Sequence, residues 1–433
     1  MSIEFTNDSP GVSDVPGFRV GAAGCDIRNK GLDRLDLTLV VADQPCAAAG
    51  VFTTNDVKAA PVRFCQQVLA VSADKIRGIV GNSGNANACT AAQGDADAVA
   101  MAKLAAAAVG APADAFLVCS TGRIGELLPM AKVADGIKVS ASRLSRDATE
   151  GVRSANAILT SDTRPKSVTA RFVWEGKTVT IAGIAKGAGM IEPNLATMLV
   201  YLLTDIAVPR AELRQMLARA VDASFNAISI DSDTSTSDTV VALSSGRVPF
   251  SDWGAFERGL HQVCRDLAED VVRNGEGVRH VIRVTVRNAA SLGLARSIGK
   301  AVVNGPLFKC AVAGNDPNVG RLIQAIGKHV GATAPGTDLS RLRARMGGVE
   351  IFAQGAFQLD PGKEAALVAH LRGAELYTSR PTPDGMFSAP IDYPPHERAV
   401  ELEIDLGNGA ASAAVVGGDL THEYVSENAD YRS

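Results

Sequence analysis

Aromatic residues are scarce in this chain of 433 residues: 13 Phe, 5 Tyr and 2 Trp make up 5%. Bulky rings therefore supply little of the core. The 42 glycines and frequent alanines point instead to closely packed backbone and small side chains. Positive charge is not in excess, since 43 Lys and Arg face 47 Asp and Glu for a net charge of −4. With no dense basic run, the electrostatic footprint of a nucleic-acid binder is missing. No window reaches the length of a membrane-spanning helix; Ala98–Ala111 comes nearest and is broken by Lys103. The N-terminal MSIEFTNDSPGVSDVP has neither the basic start nor the apolar stretch of a secretory signal. The seven cysteines (25, 46, 65, 89, 119, 264 and 310) are odd in number and contain no CxxC pair. Reduced thiols in a cytoplasmic protein are expected, not disulfides or zinc. Six histidines form no HxH, HExxH or Cys/His cluster, so no metal site is expected.

What is present alternates irregularly between strands and helices. Leu35–Asp43 has the period of a strand, and Asp95–Gly110 reads as a helix with an acidic first turn and a glycine stop. SVTARFVW and KTVTIAGI flank Glu175-Gly176 and predict a hairpin. Thr197–Val208 is too apolar to alternate and reads as a fully buried strand. Helices are expected from Pro209 onward, over Phe256–Asn274 and over Leu292–Val303, with a strand at Val281–Asn288. AVELEIDL and AASAAVV around Gly407-Asn408-Gly409 predict a second hairpin, and the Pro-rich stretch from Pro381 to Pro395 a long loop. Antiparallel hairpins mixed with helices suggest stacked sheets covered by helices, not a doubly wound parallel sheet.

Several motifs fail on inspection. GNSGN (81–85) ends in Asn85 where a nucleophile elbow needs glycine. GLARSIGKA (293–301) has the wrong glycine spacing for a phosphate loop, and Ala301 replaces the hydroxyl that meets magnesium. Asp231 and Asp233 are a candidate magnesium or phosphoryl pair, but a hydroxyl-rich strand end with local hydrogen bonds is the simpler account. His261 and His280 have the chemistry of general bases, yet a packed or partly exposed histidine is the commoner case.

KGAGMIEPNLATML (186–199) carries more information. Thr197 at its end suits the start of a strand, as a β-branched residue does. The alternative is chemical. Cleavage between Ala196 and Thr197 makes Thr197 an N-terminus, with its hydroxyl as nucleophile and its freed α-amine as base. An α-amine titrates near 7.7–8.0, so about a tenth is neutral at pH 7. Gly183, Gly187 and Gly189 are expected to free the backbone for positive φ. STG at 120–122 follows an apolar strand, so Thr121 and Gly122 offer a hydroxyl and an N–H to an oxyanion, or form a plain turn.

With these residues in view, the chain resembles the ornithine acetyltransferases, or glutamate N-acetyltransferases, of arginine biosynthesis. GNSGNANACT (81–90), STGRIGELLPM (120–130), ILTSDTRPK (158–166), KGAGMIEPNLATML, ISIDSDTSTSDT (228–239), RNGEGVRH (273–280), AGNDPNVGRLIQAIG (313–327) and ENADYRS (427–433) follow that family's order. The resemblance implies an α/β (α+β) fold: a stacked-sheet sandwich flanked by helices, DmpA/ornithine-acetyltransferase-like, with a smaller second domain. It implies autoproteolysis into an α chain (1–196) and a β chain (197–433), intertwined and assembled as α2β2.

It also implies an acetyl-enzyme on Thr197, an oxyanion hole from Thr121 and Gly122, and substrate contacts from Thr160, Lys186, Thr197, Glu276, Asn428 and Ser433. The implied substrates are N2-acetyl-L-ornithine and L-glutamate, with acetyl-CoA as a possible further donor and no metal or organic cofactor. Lys186 suits a carboxylate and Glu276 an ammonium. Asn428 both donates and accepts. Ser433 stands where many relatives have threonine and keeps the hydroxyl, and Val319 replaces a common tryptophan. The alternative is an N-terminal-nucleophile amidohydrolase or aminopeptidase, in which water replaces glutamate. A third reading is an uncleaved amino-acid-binding protein that keeps only the pocket.

Overall fold

The computed structural model describes residues 4–6, 11–31, 34–192, 198–377 and 396–429. Two compact units divide the chain: residues 1–226 with 233–271, and residues 227–232 with 272–433. The first unit therefore draws on both sides of the Ala196–Thr197 bond.

Nine strands of the first unit are β1 (Glu4–Thr6), β2 (Phe18–Ala23), β3 (Leu37–Phe52), β4 (Ile76–Asn82), β5 (Phe116–Ser120), β6 (Lys166–Trp174), β7 (Lys177–Lys186), β8 (Leu199–Ile206) and β10 (Thr239–Val248); the short β9 (Ile228–Ser229) belongs to the second unit. They run in the order β1-β6-β7-β8-β10-β3-β4-β5, with β2 also on β3. Its helices are α1 (Ala60–Ser72), α2 (Ala91–Ala108), α3 (Met130–Ser142), α4 (Ala148–Ala157), α5 (Arg210–Ala223) and α6 (Trp253–Arg273).

The long strand β3 makes two layers from one sheet. Leu37–Ala42 pairs with β2, and Leu37–Val41 with β4. The register then shifts between Val41 and Cys46, and Ala47–Phe52 pairs with β10. Because side chains alternate across a strand, one face of each half meets the other in a shared core. Val40, Ile79 and Leu117 from one layer pack with Ile184, Tyr201 and Val241 from the other. The reverse face of the first layer, Leu39, Val80 and Val118, packs on Met101 and Ala105 of α2 and on Val133 and Ile137 of α3. Behind the second layer lies α6: a Cβ on Gly183 would stand 2.8 Å from Leu267 Cδ1. The result is the stacked-sheet sandwich between helices that the sequence suggests.

Glycine abundance has a packing cause here. A Cβ on Gly78 would lie 2.2 Å from the Val40 carbonyl oxygen. Gly183 corrects an expectation: it keeps extended backbone within β7 and serves close packing, not positive φ. The β6–β7 hairpin forms as expected, with φ +47° at Glu175 and +76° at Gly176.

The second unit is smaller. With β9, its strands are β11 (Val281–Ala289), β12 (Arg343–Met346), β13 (Val349–Ala353), β14 (Ala356–Phe357), β15 (Val400–Asp405) and β16 (Ala411–Gly418). Its helices are α7 (Leu292–Val303), α8 (Pro306–Ala313), α9 (Val319–Thr333), α10 (Pro361–Ala374) and α11 (His422–Ala429). The sheet order is β14-β13-β12-β15-β11-β16-β9, over a core that includes Val284, Ile298, Leu322 and Leu402.

The hairpin expected around Gly407–Gly409 does not form. β15 and β16 are both strands, but β11 lies between them, parallel to β15 and antiparallel to β16. The connection passes over the end of β11, where a Cβ on Gly409 would stand 2.1 Å from the Ala289 carbonyl oxygen. Local alternation identifies a strand, while its neighbour is chosen by core burial. The rejected phosphate loop, 293–301, lies inside α7. Among the described residues no helix is long and apolar enough to cross a membrane, and the Pro-rich stretch from Pro381 to Pro395 lies outside them.

Candidate active site

Lys186 ends β7 and is 1% exposed, an unusual place for an ammonium group. Its Nζ donates to Thr121 Oγ1 at 3.0 Å. A buried charge is tolerated only where partners replace water, and here the counter-charge is Asp162. That carboxylate, itself without solvent exposure, forms an ion pair with buried Lys166. It also accepts the Gly187 N–H at 2.7 Å and the Thr160 N–H at 3.0 Å. Burial opposes its ionisation, but the charges of Lys166 and Lys186 outweigh burial and hold Asp162 well below the usual carboxylate range.

Thr121 follows β5, and its N–H is taken by the Asn82 carbonyl at 3.1 Å. Gly122 has φ +129°, and a Cβ there would lie 2.3 Å from the Gly84 carbonyl carbon, so the close approach requires glycine. Among the described residues its N–H donates to no acceptor. The Thr121 hydroxyl and the Gly122 N–H thus come from adjacent residues, one of them bonded to an ammonium.

Ala196 and Thr197 lie outside the described residues, as does Ser433. The chain directly after them is tightly held. Met198 N–H donates to Asp238 Oδ1 at 2.9 Å, and the Met198 carbonyl accepts the Thr239 N–H at 3.0 Å. Leu199 then pairs with Lys186 on one side and Thr239 on the other. Thr160 and Lys186 therefore adjoin Asp162 in the first unit, and Thr121, with Gly122 next to it in sequence, is joined to them through Lys186, which pairs with Leu199 where β8 begins.

In the second unit, Asn428 Nδ2 donates to Glu276 Oε2 at 2.9 Å. Gly277 has φ +64°, and a Cβ there would lie 2.3 Å from Tyr424 N, so α11 is pressed against this turn. Thr421 Oγ1 reinforces the contact by donating to the Gly277 carbonyl at 2.7 Å. The C-terminal segment is docked through Ala429, against the usual looseness of chain ends. Burial, together with the negative charges of Glu276 and Glu423, pushes Glu427 up to about 7.

Asp162, Lys166 and Asp238 were not singled out from the sequence. Asp162 and Lys166 are four residues apart within ILTSDTRPK, a spacing that could have suggested a pair. Their burial has no sequence signal, because charged residues are normally exposed. Asp231 accepts from Tyr424 Oη at 3.3 Å, and the Asp233 carbonyl accepts the Glu192 N–H at 2.9 Å, so the bonds shown at this pair reach distant segments of the chain, not its own hydroxyl-rich strand end. Among the described residues no group of three or more His, Cys, Asp or Glu is placed to hold a metal.

Fold and site together define an α/β stacked-sheet protein whose sandwich buries a hydroxyl, two ammonium groups and a carboxylate at one strand end. The ArgJ family model matches residues 19–433. The chain belongs to the ArgJ family, the ornithine acetyltransferases that its sequence blocks resemble. It is 40% identical to the arginine biosynthesis bifunctional protein ArgJ of Symbiobacterium thermophilum over 433 residues, 98% of each chain. To the protein of the same name from Bartonella quintana it is 37% identical over 452 residues, covering 100% of both chains. Among solved structures, the Mycobacterium tuberculosis ornithine acetyltransferase complexed with ornithine is 40% identical, with a TM-score of 0.41, covering 44% of this chain and 98% of its own.

Proposed function

We propose that the protein moves an acetyl group from N2-acetyl-L-ornithine to L-glutamate, through an acetyl ester of Thr197, in arginine biosynthesis. The observation that carries this reading is the Thr121–Lys186 contact beside Gly122, in register with the first residues after Thr197. Family membership supports the substrates, since the relatives are named for arginine biosynthesis and one solved relative is an ornithine acetyltransferase holding ornithine.

The protein first cuts itself. The Thr197 hydroxyl attacks the Ala196 carbonyl, the peptide C–N bond breaks, and water releases Ala196 as a carboxylate. Thr197 is left with a free α-amine. In turnover that amine takes the hydroxyl proton as the oxygen attacks the acetyl carbonyl. Thr121 and Gly122 bind the oxyanion, the acetyl C–N bond breaks, and ornithine leaves with the proton. Glutamate's amine then attacks the ester, giving N-acetyl-L-glutamate and restoring the hydroxyl. Thr160, Lys186, Glu276, Asn428 and Ser433 hold the substrates. No metal or organic cofactor is required; acetyl-CoA is a second donor, and the cleaved chains assemble as α2β2.

Intact mass spectrometry tests the reading. The wild-type protein should appear as two fragments, 1–196 and 197–433, and the second should gain one acetyl group with acetylornithine. Thr197→Ala should give one uncut, inactive chain. Normal cleavage in that variant would refute the assignment of Thr197.

A further inference from the structure

Asn85 stands where a nucleophile elbow would need glycine, and the reaction above gives it no part. It is 2% exposed, and its backbone bridges both Thr121 and Arg123, the two neighbours of Gly122. Three hydrogen bonds join the segments. Thr121 N–H donates to the Asn82 carbonyl at 3.1 Å, Arg123 N–H to the Gly84 carbonyl at 3.3 Å, and Ala86 N–H to the Arg123 carbonyl at 2.9 Å. Between these clamps Gly122 is pressed against the facing chain: a Cβ on it would stand 2.3 Å from the Gly84 carbonyl carbon and 2.6 Å from Asn85 N.

The Asn85 side chain holds the same loop further along. Nδ2 donates to the Glu126 and Leu127 carbonyls, both at 3.1 Å, and Oδ1 accepts the Asn87 N–H at 2.8 Å. Two bonds donated and one accepted fix the orientation of the amide. The segment that carries Asn85 is itself held: Asn82 Nδ2 donates to the Asn85 carbonyl at 2.9 Å, and Gly125 N–H to the Ala88 carbonyl at 2.9 Å. Residues 121–129 lie between β5 and α3, outside any strand or helix. Contacts with the 82–88 segment therefore replace the ladder that a strand would supply.

Oxyanion stabilisation depends on donors fixed in direction before the reaction. The Gly122 N–H points where the Thr121–Gly122 peptide plane sends it, and that plane is clamped on both sides. The Thr121 hydroxyl accepts from Lys186 Nζ, which has only protons to give, so its own proton is left to donate. Resting on the oxyanion reading of Thr121 and Gly122 above, we propose that Asn85 is the positioning residue of the oxyanion hole. Its amide ties the Glu126–Leu127 end of the loop to the strand end that faces Gly122, and so sets the direction of both donors. The residue type follows from the contacts. Glycine at position 85 would leave the two carbonyls without their donor, and an ionised aspartate would set an oxygen against them.

The test compares full-length wild-type protein, Asn85→Ala, Thr121→Ala and the double variant. Intact mass reads cleavage, thermal unfolding reads stability, and kinetics are normalised to cleaved molecules. Cleaved Asn85→Ala should lose roughly 10²-fold in kcat, the cost of a small misplacement of catalytic groups, with KM for acetylornithine and glutamate unchanged. Because both residues act on one oxyanion, the double variant should lose less than the product of the two single losses. A purely structural asparagine would lower stability and give losses that multiply. Wild-type kcat in cleaved Asn85→Ala, or multiplying losses, would overturn the proposal and leave the Thr121 reading intact. Unchanged kcat in Thr121→Ala would overturn both. If Asn85→Ala stays uncut or does not fold, a crystal structure of the wild-type acetyl-enzyme, formed with acetylornithine alone, decides. Gly122 N within hydrogen-bond distance of the acetyl oxygen, with Asn85 still on both carbonyls, supports the role; loss of either contact rejects it.

Discussion

The Lys186 cluster of the first unit and the Glu276 turn of the second are both polar, but water treats them differently. Lys186, Lys166 and Asp162 are buried, and Asp162 stays ionised because two cations face it. Glu276 is half-buried and Asn428 is exposed, with their hydrogen bond open to solvent. In a low-dielectric interior a charge interacts strongly with fixed partners, and near the surface water screens it. The buried group therefore has a single geometry and little tolerance for loss of a member. The open group is weakly coupled to stability, and its effect should appear in binding.

Asp162→Ala should have the largest effect on stability. It removes the carboxylate that pairs with buried Lys166 and the acceptor of the Gly187 and Thr160 N–H groups. Breaking such a buried pair costs about 3–5 kcal/mol, which urea unfolding should register. A variant as stable as wild type would show that the buried cluster is no more integral than the open one.

Thr121→Ala should spare the fold and reduce the chemistry. Loss of one oxyanion donor lowers kcat by roughly 10²–10³. Steady-state kinetics at saturating acetylornithine and glutamate would measure it. Unchanged kcat would reduce Thr121 to the acceptor of Lys186 and a turn residue.

Asn428→Ala should have the smallest effect on stability, within about 0.5 kcal/mol, as for most exposed positions. KM for both substrates should rise while kcat changes little. A loss of stability comparable to that of Asp162→Ala would remove the distinction between the two regions.

Much of this was legible in the sequence because its signals are local. The period of residues 35–43, the apolar run of β8 and the Glu175-Gly176 turn depend on near neighbours, and each appears where expected. α7 spans Leu292–Val303, as its pattern indicated. Thr121, Gly122, Thr160 and Lys186 stood out because they lie in blocks shared with a known family. Asp162 and Asp238 did not, since nothing near them in the sequence marks a carboxyl group for burial. The pairing of β15 with β11 was hidden for a related reason: two strands joined by a short turn usually pair, and only the sheet's core shows that a third lies between them.

By itself the sequence determined the family, the order of most elements and the segment in which Thr197 sits, because propensity, turn chemistry and motif spacing act over a few residues. Tertiary structure alone decided that Lys186 meets Thr121 across 65 positions of sequence and that Asp162 stays charged inside the sandwich. It alone set Asp238 against the first amide after Thr197. These features depend on which distant strands become neighbours and on how completely they exclude water, and neither property is written in any short stretch of chain.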